Sequence, residues 1–165
     1  MQTNPDYSAS KKRASEILEE ASIIQPPIIT QKLCETYGIK VKFVIFTEDN
    51  ISGMMDFKSN TIYVNDQEGY ARNNFTIAHE LGHYFLHKDY YLKHPNEYEI
   101  LYRKPISSAQ NSPIEKEANT FAAHLLVPKK FLDQYYEFAS IQSLAKLFAV
   151  SEEVISYRLK NEYGF

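Results

Sequence analysis

One stretch of the sequence decides the fold: residues 74–87 read NFTIAHELGHYFLH. Its apolar side chains recur every three or four positions, which is the spacing of one face of an α-helix. His79 and His83 stand four residues apart, so their imidazoles project from nearly the same side of that helix and can hold one divalent cation. Glu80 lies beside the pair, where its carboxylate can serve as a general base toward water. The spacing therefore predicts a metal site on a rigid helix.

The third ligand of such a site must come from elsewhere, because a catalytic zinc site typically has three protein ligands. Residues 112–119 offer two carboxylates, Glu115 and Glu117. Glu115 shares its helical stripe with small and apolar residues and is predicted to point inward, whereas Glu117 aligns with a more polar face. Glu115 also fits a capping box begun by Ser112, a role that needs no metal. We predict Glu115 as the third ligand and keep Glu117 as the alternative.

Small and polar residues near these positions have predicted supporting roles. Ala118 and Ala122 would let the second helix approach Gly82 closely. Asn119, one turn after the candidate carboxylate ligand, is predicted to orient a ligand imidazole. His87 lies one turn beyond the histidine pair. As a third ligand it would have to bind the same ion from the same straight helix as His79 and His83, which is an unfavourable arrangement. We therefore predict His87 to be a polar supporting residue.

Three runs rich in β-branched and aromatic residues predict strands: residues 39–46, 51–57 and 61–64. The turn-forming residues 58–60 predict a hairpin between the last two, and the simplest arrangement is a small three-stranded antiparallel sheet. The strand at residues 61–64 precedes the metal helix directly. It is therefore predicted to bind an extended peptide by strand addition.

Helical patterns fill most of the remaining sequence. They cover residues 8–22 and 28–37, the second ended by Gly38, and nearly everything after Gly69 except an irregular connection at residues 88–112. With the strands they predict an α+β fold. A chain of 165 residues is expected to form one domain. Within it we expect a catalytic core at residues 1–128 and a C-terminal helical subregion at residues 129–165.

Amino-acid composition limits which binding partners and which cellular compartment we expect for the protein. The formal net charge of −3 gives no general positive field for nucleic acid or anionic lipid. Cys34 is the only cysteine, so the chain cannot form an internal disulfide, which fits a reducing compartment. No apolar run approaches the roughly 20 residues of a membrane span. We therefore expect a cytoplasmic protein without a membrane partner.

Two stretches, residues 74–83 and 115–128, together resemble the ImmA/IrrE family of bacterial and phage-associated metallopeptidases. The resemblance implies a zincin-like domain with an active-site helix and a C-terminal helical bundle. It implies zinc held by His79, His83 and Glu115, with Glu80 as the general base, although this donor set also accepts Mn²⁺ or Fe²⁺. It further implies a protein substrate, namely a helix-turn-helix repressor encoded nearby that controls stress-response or mobile-element genes. Val127 stands where the family often has Met, a conservative change.

A different class of function is suggested by residues 143–159, whose spacing resembles a helix-turn-helix. Glu152 and Glu153 occupy the start of the would-be recognition helix, where they would meet DNA phosphates with like charge. Direct DNA binding is therefore disfavoured. The alternative function is a non-catalytic regulator that contains a structural metal and binds DNA or a repressor. The resemblance to the ImmA/IrrE family implies that such a protein can be one half of a toxin–antitoxin-like pair.

Overall fold

The computed structural model describes residues 4–97 and 111–165 of the chain. The elements in these two ranges are, in chain order, α1 (Tyr7–Glu20), α2 (Thr30–Thr36), β1 (Lys40–Val44), β2 (Gly53–Asp56), β3 (Thr61–Asn65), α3 (Tyr70–Lys93), α4 (Pro113–Leu126), α5 (Lys129–Leu132), α6 (Ile141–Phe148) and α7 (Glu152–Tyr163). The predicted α+β class is confirmed. None of the helices in this part of the chain has the length and apolarity that a membrane span requires.

The sheet is mixed, which corrects the prediction of a wholly antiparallel sheet. Its strand order is β1-β3-β2, with β3 antiparallel to β2 and parallel to β1. The predicted hairpin between β2 and β3 is present and turns at Asn60, whose φ is 49°. The chain between β1 and β2 crosses to the far side of β3, so the most buried strand takes the centre. A spacing pattern predicts strands but not the order in which they pair.

The central position of β3 also overturns its predicted use as a peptide-binding strand. Its backbone pairs with β1 on one side and with β2 on the other. No edge of β3 remains for an added peptide. Its side chains Ile62 and Val64 are fully buried beneath α3, and Ile62 lies in register with Val41 and Met55. β3 therefore anchors α3 on the sheet.

Helix α3 meets α4 at very short range, as the small residues predict. A Cβ placed on Gly82 would lie 3.1 Å from the Ala118 Cα and 3.2 Å from its carbonyl oxygen. The core spreads from this crossing and includes fully buried Leu81, Phe121 and Leu125. The crossing fixes the relative position of the two helices that carry the candidate ligands.

Helix boundaries agree with the sequence in some places and differ in others. Gly38 follows α2 with a φ of 67°, as expected for a residue that ends a helix. The predicted irregular connection begins too early, because α3 continues to Lys93. Tyr91 explains the extension, since its side chain is 4% exposed and its ring stacks on Phe57. Residues 98–110 of the predicted connection lie outside the described residues.

The predicted helix-turn-helix-like pair corresponds to α6 and α7. Ala149 ends α6 in the left-handed conformation, and the Ser151 hydroxyl accepts a hydrogen bond from the Val154 amide to cap α7. Arg158 is fully buried and ties α7 to α4. Its guanidinium donates to the Val127 carbonyl oxygen at 2.9 Å. The second helix of the pair, α7, therefore packs on the end of α4.

Candidate metal centre

The three predicted ligands converge at one point between α3 and α4. His79 Nε2 lies 3.1 Å from His83 Nε2 and 3.2 Å from Glu115 Oε2. His83 Nε2 lies 2.9 Å from Glu115 Oε1. His83 is fully buried, and the side chains of His79 and Glu115 are 15% and 14% exposed. The cluster therefore lies between α3 and α4 near their crossing, with limited access to solvent.

The local sequence explains how Glu115 reaches the histidines. Ser112 caps α4 by accepting a hydrogen bond from the Glu115 amide, and Pro113 occupies the first turn. Glu115 precedes Ala118 by one helical turn, so the close crossing at Gly82 brings its carboxylate to the ligand pair. Backbone capping and carboxylate placement coexist, because the cap uses the amide of Glu115 and leaves its side chain to face α3.

Asn119 lies where the sequence predicts it, beside a ligand imidazole. Its side-chain oxygen is 2.8 Å from His79 Nδ1. An amide oxygen only accepts, so His79 Nδ1 carries the hydrogen and donates, and the lone pair of the neutral ring lies on Nε2. The contact therefore makes Nε2 the atom that faces Glu115 and His83, with its lone pair available to a metal once the ring has lost its second proton.

His87 and Glu117 form a second buried layer behind His83. The Nδ1 atoms of His83 and His87 are 3.1 Å apart, and His87 Nε2 lies 2.7 Å from Glu117 Oε2. His87 thus occupies the supporting position predicted for it. Glu117 differs from expectation, because its face is not solvated: α1 covers it, and the Asp6 amide donates to Glu117 Oε1 at 2.6 Å. Glu117 does not belong to the ligand cluster.

The histidines and the glutamate of this cluster change one another's pKa values. Burial disfavours the protonated form of His79, but the Glu115 carboxylate outweighs burial and raises the pKa of the imidazole to about 9. Burial acts against the charged form of Glu115 too, yet His83 and His79 hold the pKa of its carboxyl well below its usual range. Burial together with His83 lowers the pKa of His87 to about 4. The site thus favours a cation next to a carboxylate.

The donor set fits a divalent metal ion. Two imidazole nitrogens and two carboxylate oxygens face one another at 2.9 to 3.2 Å. Atoms bound to one tetrahedral cation at about 2.05 Å would be about 3.3 Å apart. The separations are therefore within a few tenths of an ångström of those in a coordination sphere. Lone pairs this close repel unless a positive charge lies among them.

Glu80 lies on the side of α3 that faces β2. Its side chain is 2% exposed, and a Cβ placed on Gly53 would lie 3.8 Å from the Glu80 Cγ. The Glu80 charge also contributes to the raised pKa of His79. A strand thus passes directly beside the candidate general base.

Comparisons with known proteins agree with this architecture. The family model described as the IrrE N-terminal-like domain, a peptidase family, matches residues 34–160. Metallopeptidase ImmA of Bacillus subtilis (strain 168) is 33% identical over 107 residues, which are 63% of this chain and 57% of that protein. A solved structure of a Mycobacterium tuberculosis transcriptional regulator superposes with a TM-score of 0.67 at 17% identity, over 93% of this chain and 46% of that one. The chain thus spans about half the length of these relatives.

Proposed function

This chain belongs to the IrrE N-terminal-like peptidase family, and on that premise we propose that it is a zinc-dependent endopeptidase. In this proposal His79, His83 and Glu115 hold the metal and Glu80 is the general base. The observation that carries it is the convergence of two imidazole nitrogens and one carboxylate within 3.2 Å of their neighbours, next to a buried glutamate. The identity to a protein named as a metallopeptidase supports the same chemistry.

A divalent cation in this position supplies Lewis acidity, which polarises a peptide carbonyl and lowers the pKa of water. Glu80 accepts the proton of the attacking water at its carboxylate and delivers it to the amine nitrogen as the C–N bond breaks. Asn119 holds His79 in the orientation that the cluster requires. The buried position of Glu80 keeps bulk water from competing for that proton.

The strand that would bind substrate is β2 rather than β3. Among the described residues, β2 has a strand partner on one side only. The Asn65 amide donates to the Ser52 carbonyl oxygen at 2.8 Å, which makes these two a hydrogen-bonded pair. In an antiparallel ladder the next residue, Gly53, then directs its backbone groups away from β3. An extended peptide paired along this side of β2 would pass beside Glu80.

The proposed substrate is a helix-turn-helix repressor. The resemblance to the ImmA/IrrE family suggests this class of partner, and strand pairing suits it because backbone hydrogen bonds make few demands on sequence. Direct DNA binding by α6 and α7 is a weaker candidate. Glu152 and Glu153 are exposed at the start of α7, where they would repel phosphates.

The test is incubation of the zinc-loaded protein with a helix-turn-helix repressor encoded beside it, followed by mass spectrometry of the products. We expect cleavage by the wild type and by Glu48→Gln, a matched change at an exposed glutamate. Glu80→Gln should bind zinc normally and cleave about 10²- to 10⁴-fold more slowly. Chelation should stop cleavage, and added zinc should restore it. Cleavage by Glu80→Gln at the wild-type rate would overturn the mechanism, and inactivation without cleavage would favour a non-catalytic regulator.

A further inference from the structure

A continuous chain of hydrogen bonds, buried as far as Glu117, leads from the candidate metal site to the exposed start of α1. It passes from His83 to His87 at 3.1 Å, to Glu117 at 2.7 Å, and to the Asp6 amide at 2.6 Å. His83, His87 and Glu117 are at most 6% exposed. The two ends are 77 residues apart in sequence and belong to different helices. The chain therefore joins two parts of the fold that sequence alone does not connect.

The carboxylate of Glu117, which only accepts, and the neutral ring of His87 fix the direction of every bond in the chain. A backbone amide only donates, and a carboxylate only accepts, so Glu117 accepts from both Asp6 and His87. His87 Nε2 then carries its hydrogen, and the Nδ1 of the neutral ring is an acceptor. His83 Nδ1 must donate to it. When the His83 ring is neutral, its lone pair therefore lies on Nε2, the atom that faces Glu115 at 2.9 Å.

Glu117 also completes the cap of α1. The Asp6 side chain accepts from the Ala9 amide at 2.9 Å, which is the first half of a capping box. The second half would be a carboxylate three residues after the cap that accepts from the Asp6 amide, but Ala9 stands there. Glu117 of α4 supplies the missing acceptor. One carboxylate thus caps the start of α1 and, through His87, selects the tautomer of a candidate metal ligand.

We propose that His87 and Glu117 are positioning residues that hold His83 in its metal-binding tautomer and couple metal binding to the docking of the α1 N-terminus. The inference rests on the proposed metal site. Coupling is reciprocal, so an α1 start that is held in place strengthens metal binding, and bound metal strengthens the α1 start by the same factor. Partners of metal-ligating histidines typically change metal affinity by about 10- to 100-fold.

Glu117→Gln tests the tautomer with almost no change of shape. A glutamine has one acceptor oxygen, so it cannot accept from both Asp6 and His87. When it accepts from Asp6, its amino group faces His87 and reverses the chain, which moves the His83 hydrogen to Nε2. We expect zinc affinity, measured by competition with a chromophoric chelator, to fall about 10-fold or more. In ¹⁵N NMR spectra of the zinc-free variant, His83 should show the Nε2–H tautomer.

Two matched pairs of variants, at His87 and at Asp6, distinguish the effect of the hydrogen-bond chain from the effect of side-chain packing. His87→Gln keeps one acceptor and one donor and should bind zinc within about 3-fold of the wild type, whereas His87→Leu should lose about 10-fold. Asp6→Ala removes the capping side chain and keeps the amide. Asp6→Pro removes both and should weaken zinc binding by several-fold, more than Asp6→Ala does. Hydrogen exchange of the Ser10 amide, in the first turn of α1, should slow when zinc binds.

The outcomes distinguish this inference from the proposed function. Equal zinc affinity in the wild type, Glu117→Gln and His87→Leu, with unchanged His83 spectra, would overturn the coupling while leaving the peptidase intact. Wild-type protein that binds no zinc would overturn both. If the zinc affinity of His87→Gln falls as far as that of His87→Leu, directional hydrogen bonding through His87 is excluded as the cause of the coupling. Circular dichroism of each variant checks that it is folded, and the Asp6 pair keeps the test decisive if Glu117→Gln does not fold.

Discussion

Gly82 and Ala118 bring two helix backbones into direct contact, with only 3.1 Å between the Ala118 Cα and the place a Gly82 side chain would begin. Glu115 lies one turn before this contact and the two histidines lie on either side of it along α3. The width of the crossing therefore sets the distance from the carboxylate to the imidazoles. A metal site made from two helices needs such a fixed spacing.

Gly82→Ala should weaken zinc binding more than it changes stability. Alanine favours a helix interior by about 1 kcal/mol over glycine, and this gain opposes the crowding against the α4 backbone. The free energy of unfolding of the zinc-free protein should stay within about 1 kcal/mol of the wild type. Zinc affinity should fall about 10-fold because Glu115 moves away from the histidines. Denaturant titration and chelator competition measure both, and an unchanged zinc affinity would contradict the crossing as the determinant.

Gly53→Ala should destabilise the protein through one identified overlap. The new Cβ would lie 2.4 Å from the Thr76 Cγ2 and 3.0 Å from the Tyr63 carbonyl oxygen. We expect a loss of about 1–3 kcal/mol in the free energy of unfolding. Adding Thr76→Ser removes the nearer atom and should restore part of that loss in a double-mutant cycle. If the second change restores nothing, the Thr76 methyl group is not the cause.

The candidate site was more predictable from sequence than the sheet. His79, His83 and Glu80 lie within five residues, so helical geometry alone relates them. The prediction of Glu115 depends on which face of α4 meets α3, and the structure places Glu115 on that face. The mixed sheet was not predictable, because pairing order depends on how the chain crosses between strands. The sequence pattern predicts a polar face for Glu117 and cannot show that Asp6, 111 residues away, contacts its carboxylate.

Stability should fall in acid through His124 at the end of α4. Burial, with Arg158 nearby, lowers the pKa of His124 from 6.5 to about 3, and the Arg158 guanidinium donates to its Nε2 at 2.9 Å. In the unfolded chain His124 binds a proton below pH 6.5, whereas in the folded protein it stays neutral down to about pH 3. Stability from this group is therefore complete above pH 6.5 and decreases as the pH falls toward 3.

His124→Gln isolates that contribution, because glutamine can accept from Arg158 but does not titrate. Between pH 7 and pH 4 the wild type should lose about 3 kcal/mol more of its free energy of unfolding than the variant. Urea denaturation at a series of pH values measures the difference. Parallel pH profiles for the two proteins would show that His124 is not responsible.

Zinc binding should release a proton from His79. The pKa of His79 is raised to about 9 in the metal-free cluster, where burial is outweighed by Glu115, so the ring is protonated at neutral pH. A metal must displace this proton. The apparent zinc affinity should therefore rise with pH, by up to about tenfold per unit, and level off above about pH 9. Calorimetry in buffers of different ionisation enthalpy counts the protons, and an affinity that does not change between pH 7 and 9 would contradict this assignment.

The most direct measurement is anomalous X-ray scattering at the zinc edge from crystals of the zinc-loaded protein. The account predicts a single strong peak within about 2.0–2.2 Å of His79 Nε2, His83 Nε2 and a Glu115 carboxylate oxygen. A zinc ion bound elsewhere on the chain, or one held by the two histidines with Glu115 turned away, would contradict it.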